Sequence, residues 1–279
     1  MRVGESLLLA GIPLLGALSL GLPHSGTGFL RIGVLLAGFV LLLGHVYAFN
    51  DLCGWEHDRL NEARSDSCAR TLGPRRVGEL SWSLLAAAAL LAYASGPRVL
   101  AMAAFVAGLS FLYSHEKIFL KAVPFASSLV HFSAGTAYYL FGRLMKSPLD
   151  AAGLLIGVYF GLLYAAGHLN HEALDHEADL RAGLRTHAVL FGPERVLLAA
   201  LVLIALSSLY LLSLCRGGWA PRPMLSVAAA AVLAYIGLFL SLRKGGLVPA
   251  RLRDFRFAYR SLYAVVGASW MLFLCRMQP

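Results

Sequence analysis

The chain of 279 residues contains 15 acidic side chains, and nine of them fall in two short segments. The first holds Asp51, Glu56, Asp58, Glu62 and Asp66; the second holds Glu172, Asp175, Glu177 and Asp179. Asp51, Gly54 and Asp58 stand at i, i+3 and i+7, and Glu172, Asp175 and Asp179 repeat that spacing with an acid in the middle. Residues seven apart on an α-helix differ by only about 20° in direction, so each segment would present its acids along one face. Like charges stacked this way repel, and a bound cation relieves them. Oxygen ligands of this kind suit Mg2+ or a similar hard ion, which commonly keeps waters and bridges to substrate phosphates. The plainer alternative is a solvated helix end whose acids pair with Arg59, Arg64 or Arg181. Two matched segments favour the metal over that alternative.

Basic residues follow the acids. Arg70, Arg75 and Arg76 come after the first segment, Lys117 and Lys121 lie between the two, and Arg181 and Arg185 come after the second. A diphosphate spreads its charge over several oxygens and needs charge-assisted donors as well as metal. The same residues would also serve as ordinary topology determinants, a role open to any Lys or Arg beside an apolar run.

The elements that must carry these groups are apolar helices. Hydrophobic residues make up 58% of the chain and charged residues 14%, against about 25% charged in an average soluble domain. Candidate spans run near 6–22, 29–49, 78–95, 98–114, 123–142, 151–171, 193–215, 224–242 and 257–275. The runs are continuously apolar rather than alternating, which excludes a closed barrel and predicts an all-α, polytopic bundle of about nine transmembrane helices. No polar stretch is large enough for a second fold, so residues 1–279 read as a single domain. The run from about Leu7 to Leu22 resembles a signal peptide in length, but no small-residue cleavage pattern follows, and a retained span is expected.

Charge distribution sets the expected orientation. Placing the N-terminus and the connections after spans 2, 4, 6 and 8 on one side collects 17 of the 24 basic residues there and leaves 7 opposite. The richer side is cytoplasmic by the positive-inside rule, which puts the N-terminus inside, the C-terminus outside and both acidic segments at the cytoplasmic surface. Membrane lipid therefore accounts for the formal charge of +9, and no nucleic-acid partner is expected. Cys53, Cys68, Cys215 and Cys275 form neither a CxxC pair nor a zinc-type spacing.

Four stretches, taken together, resemble one family. NDLCGWEHD, from Asn50 to Asp58, is similar to the NDxxDxxxD motif of the UbiA superfamily of intramembrane prenyltransferases. RLNEARSDSCARTLGPRRV continues the likeness into that family's basic loop. YSHEKIFLKAVP, from Tyr113 to Pro124, resembles its YS…K…P segment, and EALDHEADLRAGLRTHAVLFG, from Glu172 to Gly192, resembles its second Asp-rich motif. The resemblance implies a magnesium-dependent transfer of a prenyl chain from a prenyl diphosphate to a hydrophobic, usually aromatic, acceptor within the membrane. It implies that Asn50, Asp58, Asp175 and Asp179 hold magnesium, with Asp51 and Glu172 supporting. It implies also that Arg70, Lys121 and Arg185 contact the diphosphate, with Tyr113 and Lys117 beside it. Among these, Asp51, Asp58, Asp175 and Asp179 form the expected catalytic set.

One position departs from the pattern: Gly54 replaces the middle Asp of the first motif. Glu56 does not replace it, because it lies about 200° around the helix from position 54. The substitution leaves room for a weakened first site or for a non-catalytic, prenyl-lipid-binding member, and a terpene cyclase on the same scaffold is a further alternative. A transporter would instead show charges near the bilayer midplane. His57, His168, His171, His176 and His187 crowd the motifs as metal ligands, proton acceptors or interfacial hydrogen bonders. Phe111, Tyr138, Tyr139, Tyr159 and Tyr164 either line an apolar cavity or pack between helices.

Overall fold

A computed structural model describes residues 8–55 and 68–277, all helical or connecting, with no strand among them. Asp58, together with Glu56, His57, Glu62 and Asp66, lies outside the described residues. The helices are α1 (Gly11–Leu18), α2 (Gly26–Cys53), α3 (Cys68–Leu72), α4 (Pro74–Ser95), α5 (Pro97–Ser114), α6 (Ala126–Arg143), α7 (Ala151–Arg181), α8 (His187–Phe191), α9 (Pro193–Arg216), α10 (Met224–Gly245) and α11 (Pro249–Met277). A 3-10 turn, Leu120–Ala122, lies between α5 and α6. Every expected span has its helix, and 7 of these helices are long and apolar enough to cross a membrane. The two that fall short are α1, described over 8 residues, and α6, which carries Ser127, Ser128, His131, Ser133, Thr136 and Arg143. Large apolar side chains remain outward-facing, with Phe257 76%, Leu90 70% and Leu233 70% exposed, as lipid-facing surfaces require.

Gly-Pro pairs punctuate the chain. Gly96 is both the last cap of α4 and the first of α5, at φ 128, and Pro97 opens the next helix. Only glycine adopts that backbone without strain, and proline at the first helical position gives up no hydrogen bond. Gly192 at φ 86 with Pro193 joins α8 to α9 in the same way.

Two compact units emerge. The first comprises the described residues up to Val130 together with Ala137–Asp150, and the second comprises His131–Thr136 with everything from Ala151 onward. In the first unit α2 packs along α4, fixed by buried His45, whose Nδ1 lies 2.9 Å from Ser81 Oγ. Arg143 holds both oxygens of Asp150, at 3.0 and 2.7 Å, and donates to Ser19 at 3.0 Å, tying the end of α6 to α1. In the second unit a core of Leu169, Ala173, Val196, Leu197, Tyr235, Phe255 and Tyr259 joins α7, α9, α10 and α11. There His131–Thr136 runs so close to α7 that a Cβ on Gly161 would lie 2.7 Å from the Phe132 carbonyl, and one on Gly135 would lie 2.7 Å from the Phe160 carbonyl. Small residues at such crossings let membrane helices approach closely.

Length explains how the motifs leave the apolar layer. With 28 residues α2 extends about 42 Å, and with 31 residues α7 extends about 46 Å, against a hydrocarbon core of about 30 Å. α2 therefore outruns that thickness by about two turns and α7 by about three, and Asp51 lies in the last turn of α2 while Glu172, Asp175, Glu177 and Asp179 lie in the last three turns of α7.

Candidate active site

In the first unit, α2 ends at Cys53 and Gly54 caps it, its N–H donating to the Asn50 carbonyl at 2.9 Å. Asn50 and Asp51 thus occupy the last turn, both half-buried. Ser114, the last residue of α5, donates to Asn50 Oδ1 at 3.3 Å, so the C-terminal ends of α2 and α5 meet. Beneath this junction an aromatic row of His45, Phe49, Trp82 and Phe111 fills the space between α2, α4 and α5. Tyr113 lies beside Ser114 and is half-buried.

The segment after α5 carries Lys117, exposed, and Lys121, half-buried on the 3-10 turn. Phe119 at φ 47, in the left-handed helical conformation, and Phe125 at φ 64, at the centre of a tight turn closed by the Ala126 N–H on the Pro124 carbonyl, flank the 3-10 turn as the only non-glycine residues with positive φ among the described residues. Backbone strain of this sort costs about 1–3 kcal/mol per residue and clusters where a loop must hold a set shape. Arg70 sits exposed on α3, which a small cluster of Ala48, Ala69 and Val77 pins against α2 and α4. Arg75 is drawn into an exposed ion pair with Glu79 at 3.2 Å.

The second unit assembles a denser constellation. His168, Glu172, Asp175 and Asp179 follow one another along one face of α7, within an arc of about 60°. Asp175 pairs with Arg256 of α11 at 3.4 Å, both side chains about one-third exposed. Asp179 is buried, and its carbonyl accepts the Leu184 N–H at 2.9 Å, which closes the turn around Gly183. His171 Nε2 lies 2.8 Å from Arg260 Nη2 and 3.3 Å from the Tyr259 hydroxyl. A guanidinium can only donate, so His171 accepts at Nε2 and carries its proton on Nδ1. Asn170 Oδ1 accepts from Tyr235 at 2.5 Å, while its Nδ2 is buried without a hydrogen-bond partner.

Glu172 is engaged differently from its neighbours. Oε1 lies 2.9 Å from His168 Nε2, and Oε2 lies 2.9 Å from both the backbone N–H and Nδ1 of His187 at the start of α8. All three side chains are buried, and their donor atoms lie within 4.8 Å of one another, a spread that would also admit a metal ion. The His131 ring stacks on His168 with centroids 3.8 Å apart.

The expected site residues therefore divide by unit. In the first, Asn50 and Asp51 lie in the last turn of α2 and Tyr113 in the last turn of α5, the two ends joined by Ser114 and Asn50, while Glu172, Asp175 and Asp179 share one face of α7 in the second. Arg185 lies in the connection between α7 and α8, two residues before His187. Sequence reasoning missed Arg256 and Arg260 and left the histidines without roles. The available signals were an i, i+4 arginine pair at the margin of an apolar run and His168 four residues before Glu172. The aromatic residues divide too: Tyr138, Tyr139 and Tyr159 are buried packing groups, whereas Phe111 is 41% exposed.

A motif-bearing helical chain with this arrangement can be compared with known families, and the profile of the UbiA prenyltransferase family matches residues 10–260. The chain belongs to the UbiA prenyltransferase family. A curated relative, the digeranylgeranylglyceryl phosphate synthase of Ignicoccus hospitalis (strain KIN4/I), is 33% identical over 199 residues, covering 69% of this chain and 62% of the relative. The chain thus aligns with somewhat less than two-thirds of that relative's length. Among solved structures, an apo UbiA homologue from Aeropyrum pernix K1 superposes with a TM-score of 0.79 at 16% identity over 98% of each chain. A UbiA homologue from Archaeoglobus fulgidus bound to DMAPP and Mg2+ gives 0.70 at 19% identity over 96% of each. These likenesses establish the UbiA fold across nearly the whole chain.

Proposed function

We propose that this chain is a magnesium-dependent prenyltransferase that moves a prenyl chain from its diphosphate to a hydrophobic acceptor inside the membrane, working as one domain. The observation that carries the reading is the placement of Asp175 and Asp179 on one face of α7 beyond its apolar stretch, within a chain matched to the UbiA family over residues 10–260. The relative from Archaeoglobus fulgidus that binds DMAPP and Mg2+ supports the choice of ion and donor.

Each motif offers donors that fit a hard cation, Asn50, Asp51 and Asp58 in the first and Asp175 and Asp179 in the second, all through amide or carboxylate oxygens. Arg256 stands beside Asp175 at 3.4 Å, so on this reading the ion would displace that guanidinium from the carboxylate. When bound, magnesium would neutralise charge on the departing diphosphate, a contribution that is often the largest single one in catalysis. Arg70, Lys117, Lys121 and Arg185 would take the remaining phosphate oxygens, with Tyr113 beside them. The strained segment from Phe119 to Phe125 would hold Lys121 in place, and the outward-facing apolar surfaces would keep the prenyl chain in lipid. We place this chemistry on the cytoplasmic side, with the N-terminus inside and the C-terminus outside.

For the acceptor, the resemblance alone favours an aromatic compound. The name of the Ignicoccus relative describes a product with two geranylgeranyl groups on glyceryl phosphate, which supports a prenylated glyceryl phosphate instead. Purified protein incubated with labelled prenyl diphosphates, magnesium and each acceptor class in turn, followed by mass spectrometry, tests both. A product that forms only with the glyceryl phosphate lipid supports the second acceptor, and one that forms only with an aromatic acceptor supports the first. No product with either acceptor defeats the proposal.

A further inference from the structure

We infer that Glu172 is a positioning residue for Arg185: it clamps the start of α8 onto α7 and does not serve as a magnesium ligand. The inference rests on the prenyl diphosphate reading, because Arg185 matters only if an anion is bound there.

Three donors converge on this one carboxylate, from His168 Nε2, His187 Nδ1 and the His187 backbone N–H, each at 2.9 Å. A carboxylate offers about four lone-pair sites, so Glu172 is close to saturated before any ion arrives. Because a carboxylate only accepts, His168 carries a proton on Nε2 and His187 carries one on Nδ1. The stack of His131 on His168 holds that imidazole in plane.

The clamp does work that the local sequence leaves undone. Thr186 precedes the first residue of α8 and would ordinarily cap it, yet its side chain makes no cap bond and its Oγ1 is buried without a partner. Of the orphan donors at the start of α8, the N–H of its first residue, His187, is received by Glu172, fifteen residues earlier in the chain. The connection is pinned at both ends, by the Leu184 N–H on the Asp179 carbonyl and by His187 on Glu172. Arg185 lies between these two pins, so its backbone is fixed while its side chain stays available to a ligand. Asp175 and Asp179 lie on the same helix face without entering this clamp.

The test uses full-length protein in detergent, comparing wild type with Glu172→Gln, Arg185→Ala and the double variant. Glu172→Gln should raise amide exchange across residues 182–191 and leave the other helices unchanged. It should lower kcat/KM for the prenyl diphosphate by about 10- to 100-fold, mainly through KM, as expected for a misplaced binding group. The magnesium half-saturation should not move. The double variant should be no worse than Arg185→Ala alone, because both act through one side chain. Unchanged exchange, independent losses in the double variant, or a shift of more than about threefold in magnesium half-saturation would each overturn the inference. Stoichiometric zinc in the wild type that disappears in Glu172→Gln would overturn it as well, making the group a metal site. Should Glu172→Gln not fold, His187→Asn and His187→Ala replace it: Asn restores a donor near the Nδ1 position, so it should preserve protection of 182–191 where Ala loses it. Equal protection in both would defeat the clamp. A wild type without turnover defeats the prenyl diphosphate reading, whereas normal turnover with unchanged exchange defeats this inference alone.

Discussion

Arg256 and Asp175 give a prediction whose sign is unusual. The guanidinium lies 3.4 Å from Asp175 Oδ1, and both side chains are about one-third exposed. A partly solvated pair of this kind is worth about 0.5–1 kcal/mol. If Asp175 is a magnesium ligand, the arginine competes with the ion for that carboxylate, and binding must first displace it. Arg256→Gln removes the competing charge while retaining length and a donor. Since 1.36 kcal/mol corresponds to a factor of ten, the magnesium half-saturation should fall by about two- to fivefold. The assay is turnover against magnesium concentration at saturating prenyl diphosphate, with thermal unfolding in detergent as the folding control. A half-saturation that stays constant or rises would refute the argument, because Asp175 would then not face the ion.

Two other substitutions probe separate parts of the account. Gly54→Asp restores an acid to the first motif immediately after α2, and it should lower the magnesium half-saturation. An unaltered titration would mean that position 54 does not face the ion. Gly161→Ala sets a methyl group 2.7 Å from the Phe132 carbonyl, and overpacking of that order costs about 1–3 kcal/mol. A clear fall in the unfolding temperature in detergent is expected, and an unchanged temperature would show that the crossing relaxes freely.

Much of the fold was legible because a bilayer writes long apolar runs into a sequence, and Gly96-Pro97 and Gly192-Pro193 mark helix boundaries in the letters themselves. The limits of each helix were less legible. The apolar run ends near residue 171, yet α7 continues through the polar residues that follow, to Arg181. Likewise α11 begins at Pro249, well before its apolar stretch, so Arg256 and Arg260 ride on a helix rather than in a connection. The short α3 and α8 have no periodic signal of their own and exist through what they pack against. In the candidate site, the i, i+3, i+7 spacing of Glu172, Asp175 and Asp179 correctly placed them on one helix face. Spacing alone does not separate their roles, because Glu172 is distinguished from Asp175 by His187, which is distant in sequence and reaches it through the turn at Gly183. Tyr138 and Tyr159 look the same in sequence as cavity-lining aromatics and are buried packing groups in the structure.

The most direct measurement is product formation by purified protein supplied with a labelled prenyl diphosphate, an acceptor lipid and magnesium, comparing wild type with Asp179→Asn. The account predicts magnesium-dependent product from the wild type and none from the variant, with both unfolding at similar temperatures. Equal turnover in the two, or turnover that survives removal of all divalent cations, would contradict it.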